Sequence, residues 1–77
     1  MTAIFAANGA RIRRARKRAG ISQERLAAQV GTTRRHMIRL ENGEHLPRPV
    51  LRDKIAAEVG VEVSSIHTYR LVQEERA

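Results

Sequence analysis

Three arginines lie within six positions of the segment GTTRRHMIRLENG, at Arg34, Arg35 and Arg39. A guanidinium group forks onto phosphate oxygens or onto the O6 and N7 edge of guanine, so these side chains are suited to binding an anion or a base. A second basic run, RIRRARKR at residues 11–18, has six basic side chains in eight positions. The chemistry that this composition offers is the binding of a polyanion.

The charge is distributed unevenly along the chain. The net charge is +7, with 15 basic and 8 acidic side chains, and 13 of the basic ones are Arg. Residues 1–48 carry 11 basic and 3 acidic side chains, whereas residues 49–77 carry 4 and 5. The resulting positive field favours a nucleic acid, because neutralising phosphates releases condensed counterions. A solvated basic surface and an anionic membrane surface are the alternatives on charge alone.

The other polar residues do not suggest catalysis or metal binding. The chain has no cysteine, which excludes disulfides and cysteine-based zinc sites. His36, His45 and His67 have no partner at ligand spacing, so we expect no metal and no cofactor. The acidic residues are dispersed among basic ones, and no Ser/His/Asp or Cys/His set is apparent. We therefore expect a binding protein and no enzyme.

The length of 77 residues suits one domain, which we assign to residues 1–77. No stretch approaches the roughly 20 apolar residues of a membrane span. The first ten residues, MTAIFAANGA, lack the basic n-region of a signal peptide. We expect a cytoplasmic protein with no membrane partner.

Apolar residues recur at helical spacing in almost every segment, and glycines separate the segments, which predicts an all-α fold of five short helices. The first helix is predicted at about 9–19, with Asn8 as its N-cap and an N-terminal arm over 1–8. The remaining helices are predicted at about 22–29 with Ser22 as the cap, 33–41 with Thr32 or Thr33 as the cap, 49–59 and 65–75.

The third predicted helix has two distinct sides. At 100° per residue, Met37, Leu40 and Thr33 cluster and are predicted to face the core, and Arg35 and Arg39 point to the opposite side. Two arginines at i and i+4 repel each other slightly, which is reasonable if an anion binds across both. Ile38 is predicted to be exposed on the flank, where a branched apolar side chain suits a thymine methyl or a sugar.

The sequence resembles the phage repressor and Cro helix-turn-helix family, or XRE family, over about residues 11–66. The resemblance is carried by Ser22-Gln23, Leu26-Ala27, Gly31-Thr32-Thr33, Met37 and Leu40-Glu41-Asn42-Gly43. It implies a compact five-helix bundle of the lambda-repressor type, in which residues 22–41 form the helix-turn-helix and the third helix enters the major groove.

The resemblance also implies a function, a sequence-specific transcriptional regulator that binds double-stranded DNA, specifically a repressor of phage or prophage type. The alternative is an antitoxin-like module that uses the same fold to bind a protein. The arginines of the third helix favour the first.

The resemblance carries site residues onto this chain. The expected base-reading residues are Arg34, Arg35, Arg39, Thr33 and Ile38. The expected phosphate-binding residues are Ser22, Gln23, Thr32, Asn42 and Arg48. Phosphate contacts set the register on DNA and base contacts specify the sequence. Relatives often carry Gln or Ser where this chain has Arg, and three arginines suit either guanine edges or phosphates, so the operator sequence stays open.

Arg16 requires a separate explanation. It lies four residues after Ile12 and three before Ala19, so it leans toward the apolar stripe of the first helix. An inward-facing Arg needs a carboxylate partner. The resemblance implies that this partner is Glu41, in a structural ion pair.

The last predicted helix, in a C-terminal segment assigned to 64–76, carries Ile66, Tyr69, Leu71 and Val72. One face is expected to pack on the core while another stays apolar. We expect either a homodimer contact, as in family members that bind two-fold symmetric operators, or a linker to a further domain.

Overall fold

The computed structural model describes residues 3–67, and this part of the chain is entirely helical and loop. Its helices are α1 (Ala3–Arg18), α2 (Gln23–Val30), α3 (Arg34–Glu41), α4 (Pro49–Val59) and α5 (Val63–Ile66). The predicted all-α class with five helices is confirmed. None of the described helices combines the length and the apolar character that crossing a membrane requires.

The start of α1 corrects a prediction. Residues 3–8, expected in an N-terminal arm, are helical, and Asn8 is buried inside α1 instead of capping it. The segment is rich in Ala, the strongest helix former, and its side chains Ile4 and Phe5 are half-buried. Asn8 and Gly9 have the residue types of a helix start, but both are buried inside α1. Their positions are therefore explained by packing against other helices and not by capping.

Two glycines bring α1 into backbone contact with the end of α3. A Cβ on Gly9 would lie 2.5 Å from the carbonyl oxygen of Leu40 and 2.6 Å from that of Glu41. Gly43, with φ +79°, would place a Cβ 2.7 Å from the Cα of Ala6. Only a residue without a side chain fits at either position. The two glycines thus set the distance between α1 and the segment that ends α3.

The helix-turn-helix is built by caps that the sequence indicates. The Ser22 hydroxyl accepts a hydrogen bond from the Arg25 amide at the start of α2, and the Thr33 hydroxyl accepts one from the His36 amide at the start of α3. Gly31 ends α2 at φ 80°, and the amide of Thr32 donates to the Ala27 carbonyl at 2.8 Å. This left-handed ending turns the chain within three residues.

A single core joins the five described helices. Helix α4 begins at Pro49 in the predicted place, and the partly buried Leu51, Val61 and Val63 pack against the core. The buried apolar side chains are Ile12 and Ala15 of α1, Leu26, Ala27 and Val30 of α2, Met37 and Leu40 of α3, Ile55, Ala56 and Val59 of α4, and Ile66 of α5.

Helix α5 spans Val63–Ile66, so it begins two residues before the predicted start at about residue 65. Its C-cap His67 has an extended backbone, with φ −142° and ψ 126°, and this conformation ends the helical turn. The rest of the predicted C-terminal segment over 64–76, including the dimer surface expected at Tyr69, Leu71 and Val72, lies outside the described residues.

We expect Gly9→Ala to lower the free energy of unfolding by about 1–3 kcal/mol, the usual cost of overpacking. The atoms that the new Cβ meets are backbone carbonyls of α3, which cannot turn aside as a flexible side chain would. Urea denaturation measures the change. In a helix interior Ala is favoured over Gly by about 1 kcal/mol, so a stabilised variant would contradict the close approach of α1 and α3.

We expect His67 to make the stability of the domain depend on pH. It is 8% exposed, and burial, with the positive charge of Arg52 adding to it, lowers the pKa of His67 below its ordinary value of 6.5. The unfolded chain therefore takes up a proton first, and the free energy of unfolding falls as the pH drops below about 6.5. Denaturation between pH 5 and 8 should show this loss, and His67→Asn should reduce it. An unchanged profile in His67→Asn, or equal flattening in a His45→Asn control, would rule out His67 as the source.

Candidate nucleic-acid interface

The exposed side of α3 is a row of basic residues above a buried side. Met37 and Leu40 are fully buried, whereas Arg34 and Arg35 at the first turn are exposed. Thr33, just before them, is also exposed and not on the core side as predicted, because it is the N-cap, whose extended backbone lies outside the helical repeat. Its hydroxyl oxygen accepts the capping hydrogen bond from the His36 amide at 3.1 Å. The hydroxyl proton of Thr33 can still be donated outward. The first turn of α3 therefore presents two guanidinium groups and one hydroxyl to the solvent.

The second turn of α3 is less open than the sequence suggests. Ile38 is half-buried rather than exposed, so it presents only part of its side chain beside the arginines. Arg39 is also half-buried, and its Nε lies 3.8 Å from Oε1 of Glu44, with both side chains a little over two-fifths exposed. A pair this long and this solvated contributes little to stability, so an incoming anion can displace Glu44 from Arg39.

A buried ion pair connects α1 to the end of α3. The Nε of Arg16 donates to Oε2 of Glu41 at 2.6 Å, and a terminal nitrogen of Arg16 donates to Oε1 at 3.1 Å. The other terminal nitrogen donates to the carbonyl oxygen of Ile21 at 2.9 Å, in the loop before α2. The Glu41 side chain is only 2% exposed. This bidentate geometry satisfies both carboxylate oxygens in a place where an unpaired charge would be costly.

Gln23 joins the same group of side chains from the start of α2. Its amide nitrogen donates to Oε1 of Glu41 at 3.0 Å. Glu41 therefore receives hydrogen bonds from α1 and α2 while belonging to α3, and the three helices are fixed to one another at one point. Gln23 itself is half-buried, so its amide is oriented by Glu41 at the edge of the solvent.

The expected phosphate-binding residues form two groups, one near each end of α3. Ser22 and Gln23 begin α2, and the contact from Gln23 to Glu41 brings them beside Asn42, the exposed C-cap of α3. At the other end, Thr32 and Arg48 line one cleft of about 500 Å³ beside the turn between α2 and α3. The structure thus brings each group together and keeps the two groups apart.

A family comparison agrees with this geometry. A family model described as a helix-turn-helix domain matches residues 9–57, which contain most of α1, the two helices α2 and α3, and most of α4. The chain belongs to this helix-turn-helix family. The matched region includes every residue of the two groups around α3 and both members of the buried ion pair.

A relative from Methanothermobacter thermautotrophicus is 45% identical to this chain over 51 residues. The matched stretch covers 66% of this chain and 74% of the relative, whose name is "Uncharacterized HTH-type transcriptional regulator".

Three side-chain contacts of α3 in the described structure were not predicted from the sequence. They are the bond from Gln23 to Glu41, the pair of Arg39 with Glu44, and the ring contact of His36 with His45, whose centroids are 6.0 Å apart. Each joins residues at spacings other than the three or four of a helix face. No group of side chains able to hold a metal ion occurs among residues 3–67.

We expect Arg16→Ala to destabilise the helix-turn-helix domain by about 3–5 kcal/mol, because it leaves the Glu41 carboxylate buried without its cation. Thermal and urea denaturation measure the effect. Arg18→Ala, which removes an exposed Arg from the same helix, is the matched control and should change stability by less than about 0.5 kcal/mol. Equal stabilities of the two variants would contradict a structural role for the pair.

Proposed function

We propose that this protein is a sequence-specific transcriptional regulator that binds double-stranded DNA with α3 in the major groove. The observation that carries the proposal is the exposed face of α3, where Arg34, Arg35 and Arg39 project from a short helix whose end is fixed by the buried Glu41. A domain of net charge +7 supplies the attractive field for a polyanion.

The two groups around α3 support this orientation. The phosphate backbones of a duplex lie on both sides of the major groove, and a helix that enters the groove needs contacts on each side to set its register. Gln23 and Asn42 are near the C-terminal end of α3, and Thr32 and Arg48 are near its N-terminal end. We assign the first pair to one DNA strand and the second pair to the opposite strand.

The side chains of α3 favour guanine contacts. Arg35 and Arg39 can each fork onto the O6 and N7 of a guanine, and Arg34 extends the same basic surface toward the flank. The hydroxyl proton of Thr33 suits a base or phosphate acceptor. The half-buried Ile38 leaves a branched edge that fits a thymine methyl beside the guanines.

Repression of the phage or prophage type is the form of regulation that we propose, in the bacterial cytoplasm. A small domain bound in the groove occupies the base pairs of its site and excludes other proteins from them. The name of the relative, an HTH-type transcriptional regulator, supports regulation. We propose no catalytic step, because binding alone accounts for the residues that α3 presents.

The experiment is to compare Arg35→Ala and Arg39→Ala with the parent on a duplex selected for tight binding and on a scrambled duplex. Losing one bidentate contact to guanine costs about 1–3 kcal/mol, so each variant should lose about 10-fold or more in affinity for the selected duplex. The loss on the scrambled duplex should be much smaller. Helicity should be unchanged, since both side chains lie outside the core.

Arg18→Ala is the control for the loss of one positive charge at a site away from α3. If both α3 variants bind the selected duplex like the parent, the assignment of α3 as the recognition helix is wrong. If the parent binds no duplex at low salt but binds a protein, the antitoxin-like alternative replaces the proposal.

A further inference from the structure

Helix α1 carries a larger basic surface than the ion pair requires. Arg16 is turned inward, but the other basic residues of the run 11–18 remain on the surface of α1. They form two edges. Arg13 and Lys17 lie on the edge that faces α3, and Arg11 and Arg18 lie on the edge beside Val61 and Ser65 near α5; Arg14 lies between the two.

The edge facing α3 lines an open groove of about 350 Å³. The walls are Ala10, Arg13, Arg14 and Lys17 of α1 and Glu41 of α3. Arg13 and Lys17 are exposed and are four residues apart, so their charges repel each other on the free helix. An anion between them relieves this repulsion.

The acidic residue in the wall of this groove does not cancel its charge. Both oxygens of Glu41 are bound, to Arg16 at 2.6 and 3.1 Å and to Gln23 at 3.0 Å. Because Arg16 pairs with Glu41, the two together have no net charge, and Arg13 and Lys17 give the groove a net positive charge. The wall of the groove at Glu41 is therefore neutral, whereas its side at Arg13 and Lys17 is positively charged.

The groove is continuous with one of the two groups assigned to phosphate. Glu41 forms part of its wall and also binds Gln23, and Asn42 is the next residue in the chain. A DNA strand that contacts Gln23 and Asn42 is therefore adjacent to a wall of the groove. This continuity favours a DNA backbone as the occupant over an acidic segment of another protein.

We propose that the groove between α1 and α3 binds a further phosphate of the DNA strand held by Gln23 and Asn42, with Arg13 and Lys17 as the donors. This inference rests on the proposed function. It extends the contact surface beyond the helix-turn-helix itself, so that α1 grips the backbone next to the base pairs that α3 reads. Such a contact adds affinity for all sequences equally and carries no base preference.

The test is a salt titration of binding to a random-sequence duplex by fluorescence anisotropy. The groove variant is Arg13→Gln with Lys17→Gln, and the matched control is Arg11→Gln with Arg18→Gln. Both variants remove two charges from α1, so their long-range fields change alike. Each lost phosphate contact lowers the slope of log K against log salt by about 0.9. We expect that decrease in the groove variant and a clearly smaller one in the control.

Denaturation should show that both double variants fold like the parent. The single variants Arg13→Gln and Lys17→Gln should each lower the salt slope by about half as much as the double variant. Equal slopes in the groove variant and the control, with the parent binding DNA, would overturn the groove assignment and leave the proposed function standing. A parent with no salt-dependent duplex binding would overturn both. Capture of an acidic peptide, lost in the groove variant while its DNA slope stays at the parent value, would assign the groove to a protein partner.

Discussion

The carboxylate of Glu41 is the point at which three helices meet. It accepts two hydrogen bonds from Arg16 of α1 and one from Gln23 of α2 while standing at the last residue of α3. Isolated helices of this length are unstable in water, so their orientation has to come from contacts between them. A buried bidentate pair has one satisfactory geometry, and it therefore sets the orientation of α3 as well as its attachment.

The neighbouring contacts extend this constraint. Gly9 and Gly43 let α1 touch the backbone at the end of α3, close to the same carboxylate. The capping hydroxyl of Thr33 fixes the other end, where Arg34 and Arg35 are exposed, and Arg39 is half-exposed between the two ends. Buried contacts thus fix the position of α3, and its exposed side chains are available to bind an anion. In the proposed complex, the same Glu41 separates the structural cation Arg16 from the surface cations of the groove.

The sequence predicts best the features that local chemistry determines. Ser22 and Thr33 have the residue types of caps, and the apolar period of α3 distinguishes the buried Met37 and Leu40 from the exposed Arg34 and Arg35, so the elements of the helix-turn-helix could be placed closely. Asn8 is wrongly predicted as a cap because Asn commonly starts helices, whereas here it is buried within the folded domain. That burial depends on tertiary packing, which the local sequence does not show. The contact of Arg39 with Glu44 depends on the path of a loop, which no periodic pattern encodes.

Selection of binding sites from a random duplex library at one stated salt concentration tests the central claim most directly. If α3 reads the bases, the parent selects a motif that contains guanines, and Arg35→Ala loses the base preference at particular positions of that motif. Recovery of all sequences at equal frequency, with tight binding at the same salt, would contradict it. That result would show that the domain binds the DNA backbone without recognising the bases.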